Sequence, residues 1–352
     1  MQRLYLHVGP PKSGTSYLQS AMWRSRPALR QQGLVLAMRR RADHFHLMLA
    51  VTDQAVADAD PPEAFSALDR LEKFLARSDA GRILLSHESL AAASRDQAER
   101  LLGLLGDVEV HLVLTARDLA RQVPSGWQQR VQARETIRFE EFADAVVAAQ
   151  GVGGAFWAHH DLLDVADRWG RQLQPEQVHV VTVPPPGSPS GLLLGRWCSV
   201  LGLDPATLDT AGATGNPSLG RVQAEVLRRV NAAIGDDLPR VRGRYGRVPR
   251  DLLPRQVLGV QPGVPTQLPR RLHQWCEDRS RATVQGLRAR GYDVVGDLAD
   301  LLPGSQSAAG LPVTEEEVAA AATQALARML VLRDAELAQP LDPTIGHSDA
   351  HE

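Results

Sequence analysis

The chain reads as an α/β protein: a parallel β-sheet with helices on both faces, followed by a helical C-terminal cap. Three observations predict it. Short apolar runs alternate with helix-period runs through the first 185 residues, the pattern of parallel strands joined by crossover helices. The first apolar run ends in a turn rich in Gly, Pro, Lys and Ser that feeds a helix. Each motif with chemical content falls at the carboxyl end of an expected strand, where open sheets of this kind bind ligands.

The strands are expected at Arg3 to Val8, Gly33 to Ala37, Arg82 to Ser86, Val108 to Leu114 and Val178 to Val183. Between them Ala64, Leu68, Leu71 and Leu75 recur at helical spacing, and Ser94-x-x-Gln97 is a capping box ahead of Ala98, Leu101, Leu102 and Leu105. Pro184 to Pro189 stops the fifth strand. Helices follow at Gly191 to Leu201, Leu219 to Ile234 and Pro269 to Arg290. No linker is long enough to part them from the sheet, so residues 1–303 form one unit, with the core sheet in 1–185 and the cap in 186–303. In 304–352, Thr314-x-x-Glu317 caps a helix with Val318, Ala322, Ala325, Met329 and Leu332 on one face. A polar, proline-punctuated tail follows, expected to be disordered. Residues beyond about Gly310 are expected to be dispensable for chemistry.

The chain has 352 residues, 43% of them hydrophobic, which suits a sizeable core. A formal charge of −2 argues against general nucleic-acid binding. Its two cysteines, Cys198 and Cys276, each follow a tryptophan; they read as packed helix residues, neither a metal cluster nor a disulfide framework. No run approaches a membrane span, and the N-terminus lacks the pattern of a signal peptide. The default class is a cytoplasmic enzyme. Arginine outnumbers lysine and alanine is abundant, a composition that hints at a GC-rich bacterial gene.

The chemistry begins in Gly9-Pro10-Pro11-Lys12-Ser13-Gly14-Thr15-Ser16-Tyr17. A glycine turn opening a helix surrounds an anion with backbone N–H groups, and a lysine adds charge. A Walker loop places its lysine directly after the last glycine; here Lys12 precedes Gly14. The bland alternative is a glycine turn with a solvated lysine. A second constellation follows the fourth strand. Arg117 lies just past its end, and Ser125 lies eight residues on, about two helical turns. Arg117 offers a fork of donors and Ser125 a hydroxyl; Pro124 interrupts the helical pattern beside it. Thr214 to Gly220 then opens a helix and carries Asn216 and Ser218. It reads equally as a lid over a ligand or as a helix cap.

Pro11-Lys12-Ser13-Gly14-Thr15-Ser16, with Arg117 and Ser125 downstream, resembles the nucleotide site of sulfotransferases that use 3′-phosphoadenosine 5′-phosphosulfate (PAPS). Asn216-Pro217-Ser218-Leu219 resembles a segment that follows the core in bacterial members. The resemblance implies a P-loop-type sulfotransferase fold, with PAPS as co-substrate and no metal. Lys12, Ser13, Gly14, Thr15 and Ser16 would bind the 5′-phosphosulfate, flanked by Pro11. Arg117 and Ser125 would bind the 3′-phosphate, and Asn216 and Ser218 would cover the nucleotide. Tyr17 stands where relatives carry an aromatic residue that stacks on adenine; it stacks or merely packs.

Sulfuryl transfer resembles phosphoryl transfer: charge moves to the bridging oxygen of the leaving nucleotide, which Lys12 would stabilise. The acceptor, a small molecule or glycan with a hydroxyl or amine, needs a base. Ser86-His87-Glu88-Ser89 ends the third strand, and His87 and Glu88 are the candidates, with Glu88 favoured because it stands one residue further out. Salt bridging or helix capping is the structural alternative for Glu88. His44, His46, His159 and His160 lack metal-spaced partners and read as surface or packing residues. Arg240, Arg242, Arg244, Arg247 and Arg250 form a basic run, read first as a solvated loop and second as a contact for an anion. The competing functions are a P-loop nucleotide-dependent kinase, which wants a strand-end aspartate for Mg²⁺, and a non-catalytic nucleotide-binding protein.

Overall fold

The computed structural model describes residues 2–149, 154–212, 218–238, 246–304 and 312–337, with the backbone alone at 246–251. Its strands are β1 Arg3–Gly9, β2 Leu34–Leu36, β3 Arg82–Ser86, β4 Glu109–Ala116, β5 Val178–Thr182 and β6 Asp293–Val295. They form one sheet in the order β2-β3-β1-β4-β5-β6. Every pairing is parallel. The first five lie where the apolar runs put them. The sixth corrects the expected limit of the sheet at residue 185. Asp293-Val294-Val295 comes from the segment assigned to the cap, and three residues led by an acid make too short an apolar run to stand out.

Central β1 is buried on both faces, as a parallel strand with two neighbours must be. Its residues alternate. Leu4, Leu6 and Val8 join Ile83, Leu85, Leu112 and Val180 on one face. That face is covered by the helices Arg41–Val51, Ala67–Arg77, Arg95–Leu104, Leu162–Gly170 and His273–Arg290. Tyr5 joins Leu84, Val113 and Val181 on the other face, under Thr15–Arg24 and Leu192–Leu201. Cys198 and Cys276 are buried and unpaired.

A second core holds the helices Leu119–Gln132, Phe139–Ala149, Arg221–Ile234 and Glu315–Leu337 around Val123, Trp127, Phe142 and Leu227. The last helix starts with the expected box. Glu317 N donates to Thr314 Oγ1 at 3.2 Å, and Thr314 N to Glu317 Oε2 at 2.9 Å. Its buried face is Val318, Ala321 and Ala325; Ala322, expected inside, is exposed, because the true stripe runs one residue earlier there. Arg221–Glu317 and Arg229–Glu315, both at 2.6 Å, fasten it to Arg221–Ile234. Among the described residues no helix is long and apolar enough to cross a membrane.

Candidate active site

The sheet order reverses at β1, which lies between β3 and β4. A crevice opens beyond the strand ends at such a point, and the chain leaving β1 fills it with the Lys12 loop. Gly9 has φ 111°, and a Cβ there would lie 2.5 Å from the Glu88 carbonyl oxygen. Only glycine lets the chain after β1 touch the chain after β3. Gly14, at φ 82°, caps Thr15–Arg24 with no side-chain hydrogen bond. No side chain caps the first N–H groups of that helix, and the helix dipole favours an anion there.

A buried chain of hydrogen bonds holds the loop from below. Gln19 Nε2 donates to Ser86 Oγ at 3.2 Å, and Ser86 Oγ lies 2.7 Å from His7 Nδ1. His7 Nε2 reaches Thr115 Oγ1 at 3.3 Å, Thr115 Oγ1 meets Ser13 Oγ at 2.5 Å, and Ser13 Oγ donates to Pro10 O at 2.5 Å. One direction of donation satisfies every member if His7 is neutral. Burial pushes the His7 imidazole down to about 4, which agrees. Sequence reasoning missed this chain. It also turns the Ser13 hydroxyl inward, leaving its backbone N–H as the group able to meet a ligand.

From above, Arg117 Nη1 donates to Lys12 O at 2.8 Å and to Ser125 Oγ at 3.1 Å. The two sequence motifs thus meet through one guanidinium. The helix Leu119–Gln132 runs through Pro124 and is capped by Asp118, which accepts from Arg121 N at 2.9 Å. Pro124 therefore does not displace Ser125 from its place two turns in. Arg117 Nε is buried with no partner. Burial, then Arg121, lowers Arg117 to about 10, so it stays charged at neutral pH. Burial also lowers Lys12, helped by Arg117 and Arg255 and opposed by Glu88. Lys12 has no ion-pair partner among the described residues. Two buried cations, each lowered first by burial and then by a neighbouring arginine, stand next to an uncapped helix start and leave a site short of negative charge. Gln122 adds a clamp that the sequence did not announce: its Nε2 donates to Pro11 O at 2.5 Å and to His160 Nδ1 at 2.8 Å.

His87 and Glu88 leave β3 on the same rim. Gln19 Nε2 donates to Glu88 Oε2 at 2.7 Å, and Arg41 Nη2 in turn donates to Gln19 Oε1 at 3.3 Å. Burial alone would raise the Glu88 carboxyl. His87, the Glu88 backbone N–H and Gln19 outweigh it and hold the group below the ordinary carboxylate value. Burial lowers His87 against the pull of Glu88. His87 Nδ1 accepts from Ser89 N at 3.3 Å. In the neutral ring the proton is then on Nε2, so neither nitrogen has a free lone pair. Glu88 keeps acceptor sites.

Tyr17 packs against the core cluster beneath its helix. Ser218 is exposed; Asn216 lies outside the described residues, as do Arg240, Arg242 and Arg244. His44 is not a surface residue: it is buried and bonded to Ala37 O at 2.8 Å and Ser86 O at 3.1 Å, and His46 is buried too. Burial, then His159 and Lys12, pushes His160 down to about 3. Among the described residues no group of three or more His, Cys, Asp or Glu is placed to hold a metal. No family model, no curated protein and no solved structure matches the chain.

Proposed function

We propose that the protein transfers a sulfuryl group from PAPS to an acceptor hydroxyl or amine. The observation that carries this reading is the Arg117 guanidinium bonded to both Lys12 O and Ser125 Oγ. It joins a loop suited to one anionic group with a strand-end pair suited to a second, and a nucleotide phosphorylated at both ends of its ribose carries two such groups.

In this reading the backbone N–H groups of Ser13, Gly14, Thr15 and Ser16 hold the 5′ group. The Arg117 guanidinium and the Ser125 hydroxyl take the 3′-phosphate. The acceptor oxygen forms a bond to sulfur as the bond from sulfur to the bridging oxygen breaks. Lys12 stabilises the charge that gathers on that oxygen. The acceptor proton passes to Glu88, whose carboxylate has lone pairs to spare while those of His87 are engaged.

Calorimetry on the full chain in EDTA, with 3′-phosphoadenosine 5′-phosphate and with ATP, tests the reading. The 3′-phosphorylated nucleotide is expected to bind more tightly. Tighter ATP binding overturns the proposal. Turnover of PAPS with a panel of acceptors then separates an enzyme from a protein that only binds the nucleotide.

A further inference from the structure

Among the described residues β2 is the edge strand of the sheet and pairs with β3 alone. The helix Arg26–Gln31 leads into it, and Ala67–Arg77 crosses the opposite face. Along the strand between these helices runs an open groove of about 1540 Å³. Six cations, Arg26, Arg30, Arg39, Arg70, Lys73 and Arg77, line it against one carboxylate, Asp79.

Two of the six are engaged. Arg70 holds the buried Asp43 at 2.7 Å, and Arg26 donates to Arg39 O at 2.9 Å. Arg30, Arg39, Lys73 and Arg77 are exposed and have no ion-pair partner among the described residues. The helix Ala67–Arg77 sorts its charges. Arg70, Lys73 and Arg77 share the groove side at helical spacing, whereas Asp69 and Glu72 are not part of the lining. In a chain of net charge −2, such segregation leaves one face strongly positive. The floor is apolar, formed by Val35, Leu36, Met38 and Phe74.

We propose that this groove docks an extended acidic segment of a partner protein in which carboxylates alternate with apolar side chains. Successive side chains of an extended strand point to opposite sides. One set would meet the free cations on the walls while the other rests on Val35 and Phe74. A polyanion with no apolar side chains would leave that floor uncovered. Each exposed ion pair is weak alone, and the sum is sensitive to salt. The proposal stands apart from the nucleotide reading, because none of the groove residues belongs to the Lys12–Arg117 site.

The test is fluorescence anisotropy on the full chain with a labelled peptide of alternating Glu and Val. Poly-glutamate and a single-stranded oligonucleotide of equal charge serve as competitors. The peptide is expected to bind at low salt and to weaken at least ~10-fold at high salt. The double variant Lys73→Glu, Arg77→Glu should weaken it by ~10-fold or more. Both residues are exposed, and an unchanged melting temperature shows that the variant is folded. Absence of peptide binding at low salt overturns the proposal, as does an unchanged affinity in the folded variant. Competition by poly-glutamate or the oligonucleotide at equal or lower concentration also overturns it, in favour of a general polyanion surface.

Discussion

Arg117 carries more of the proposed site than any other side chain, because among the described residues it alone bonds both to the Lys12 loop and to Ser125. Replacing it with Ala removes a charge-assisted contact and leaves Lys12 O without this donor. The nucleotide is expected to lose on the order of 2 to 4 kcal/mol of binding. Calorimetry with 3′-phosphoadenosine 5′-phosphate reads this directly, and an unchanged affinity removes Arg117 from the site. Glu88→Gln keeps the shape and the bond to Gln19 but removes basicity. It should leave nucleotide binding intact and cut turnover by roughly 10²-fold or more. If Glu88→Gln stays active while His87→Ala does not, the base is His87, released from Ser89 N. The sequence made these residues legible because each follows a strand. It did not make Ser13 legible in full. A serine in such a loop suggests a hydroxyl turned to the ligand, and the hydroxyl lies beneath the loop because Thr115 and His7 complete a buried chain there. Those partners come from β1 and β4, which only the sheet order brings together.

Element boundaries followed from local signals, and element partnerships did not. The capping boxes at Ser94 and Thr314 start their helices as their spacing requires. The strand β6 escaped, because three residues offer no period to count. The C-terminal helix was legible as a helix but not as a member of the second core. Its Val318, Ala321 and Ala325 are buried in the cluster it shares with Arg221–Ile234 and with the segment Gly246–Leu258. Truncation after Gly310 is therefore expected to separate stability from binding. Burial of one Val and two Ala contributes about 2–3 kcal/mol, and the exposed ion pairs add little. For a chain of this size that loss lowers the melting temperature by about 3–5 °C. Nucleotide affinity should persist, since Arg117, Ser125 and the Lys12 loop all remain. Calorimetry and thermal melting of the truncated chain check both halves. A truncated protein that melts like the full chain contradicts the packing argument. One that is folded but has lost the nucleotide makes the helix part of the site.

At the scale of the whole molecule, the polar groups buried around the site set how the fold responds to acid. Burial pushes His7 and His44 down to about 4 and His160 to about 3. In the unfolded chain these imidazoles titrate near an ordinary ~6.5. As pH falls below ~6.5 the unfolded state therefore binds protons that the native state refuses, and stability drops. The slope reaches about 1.4 kcal/mol per pH unit for each such group. Three groups over ~1.5 units remove about 5 kcal/mol, comparable with a total folding stability of ~5–15 kcal/mol. The carboxylates of Asp43 and Glu88 are lowered instead, so their contribution is kept until pH falls below the ordinary carboxylate range. Acid should thus weaken the protein first through its histidines, with most of the loss above the pH at which carboxylates titrate. Urea unfolding midpoints measured from neutral pH down to ~5 should fall steadily. His160→Gln keeps a polar group beside Gln122 and removes one titrating ring, so its midpoint should fall less steeply. Midpoints that stay level across this range would show that the three imidazoles are protonated in the folded protein. The neutral His7 that completes the chain from Ser86 to Ser13 would then be excluded.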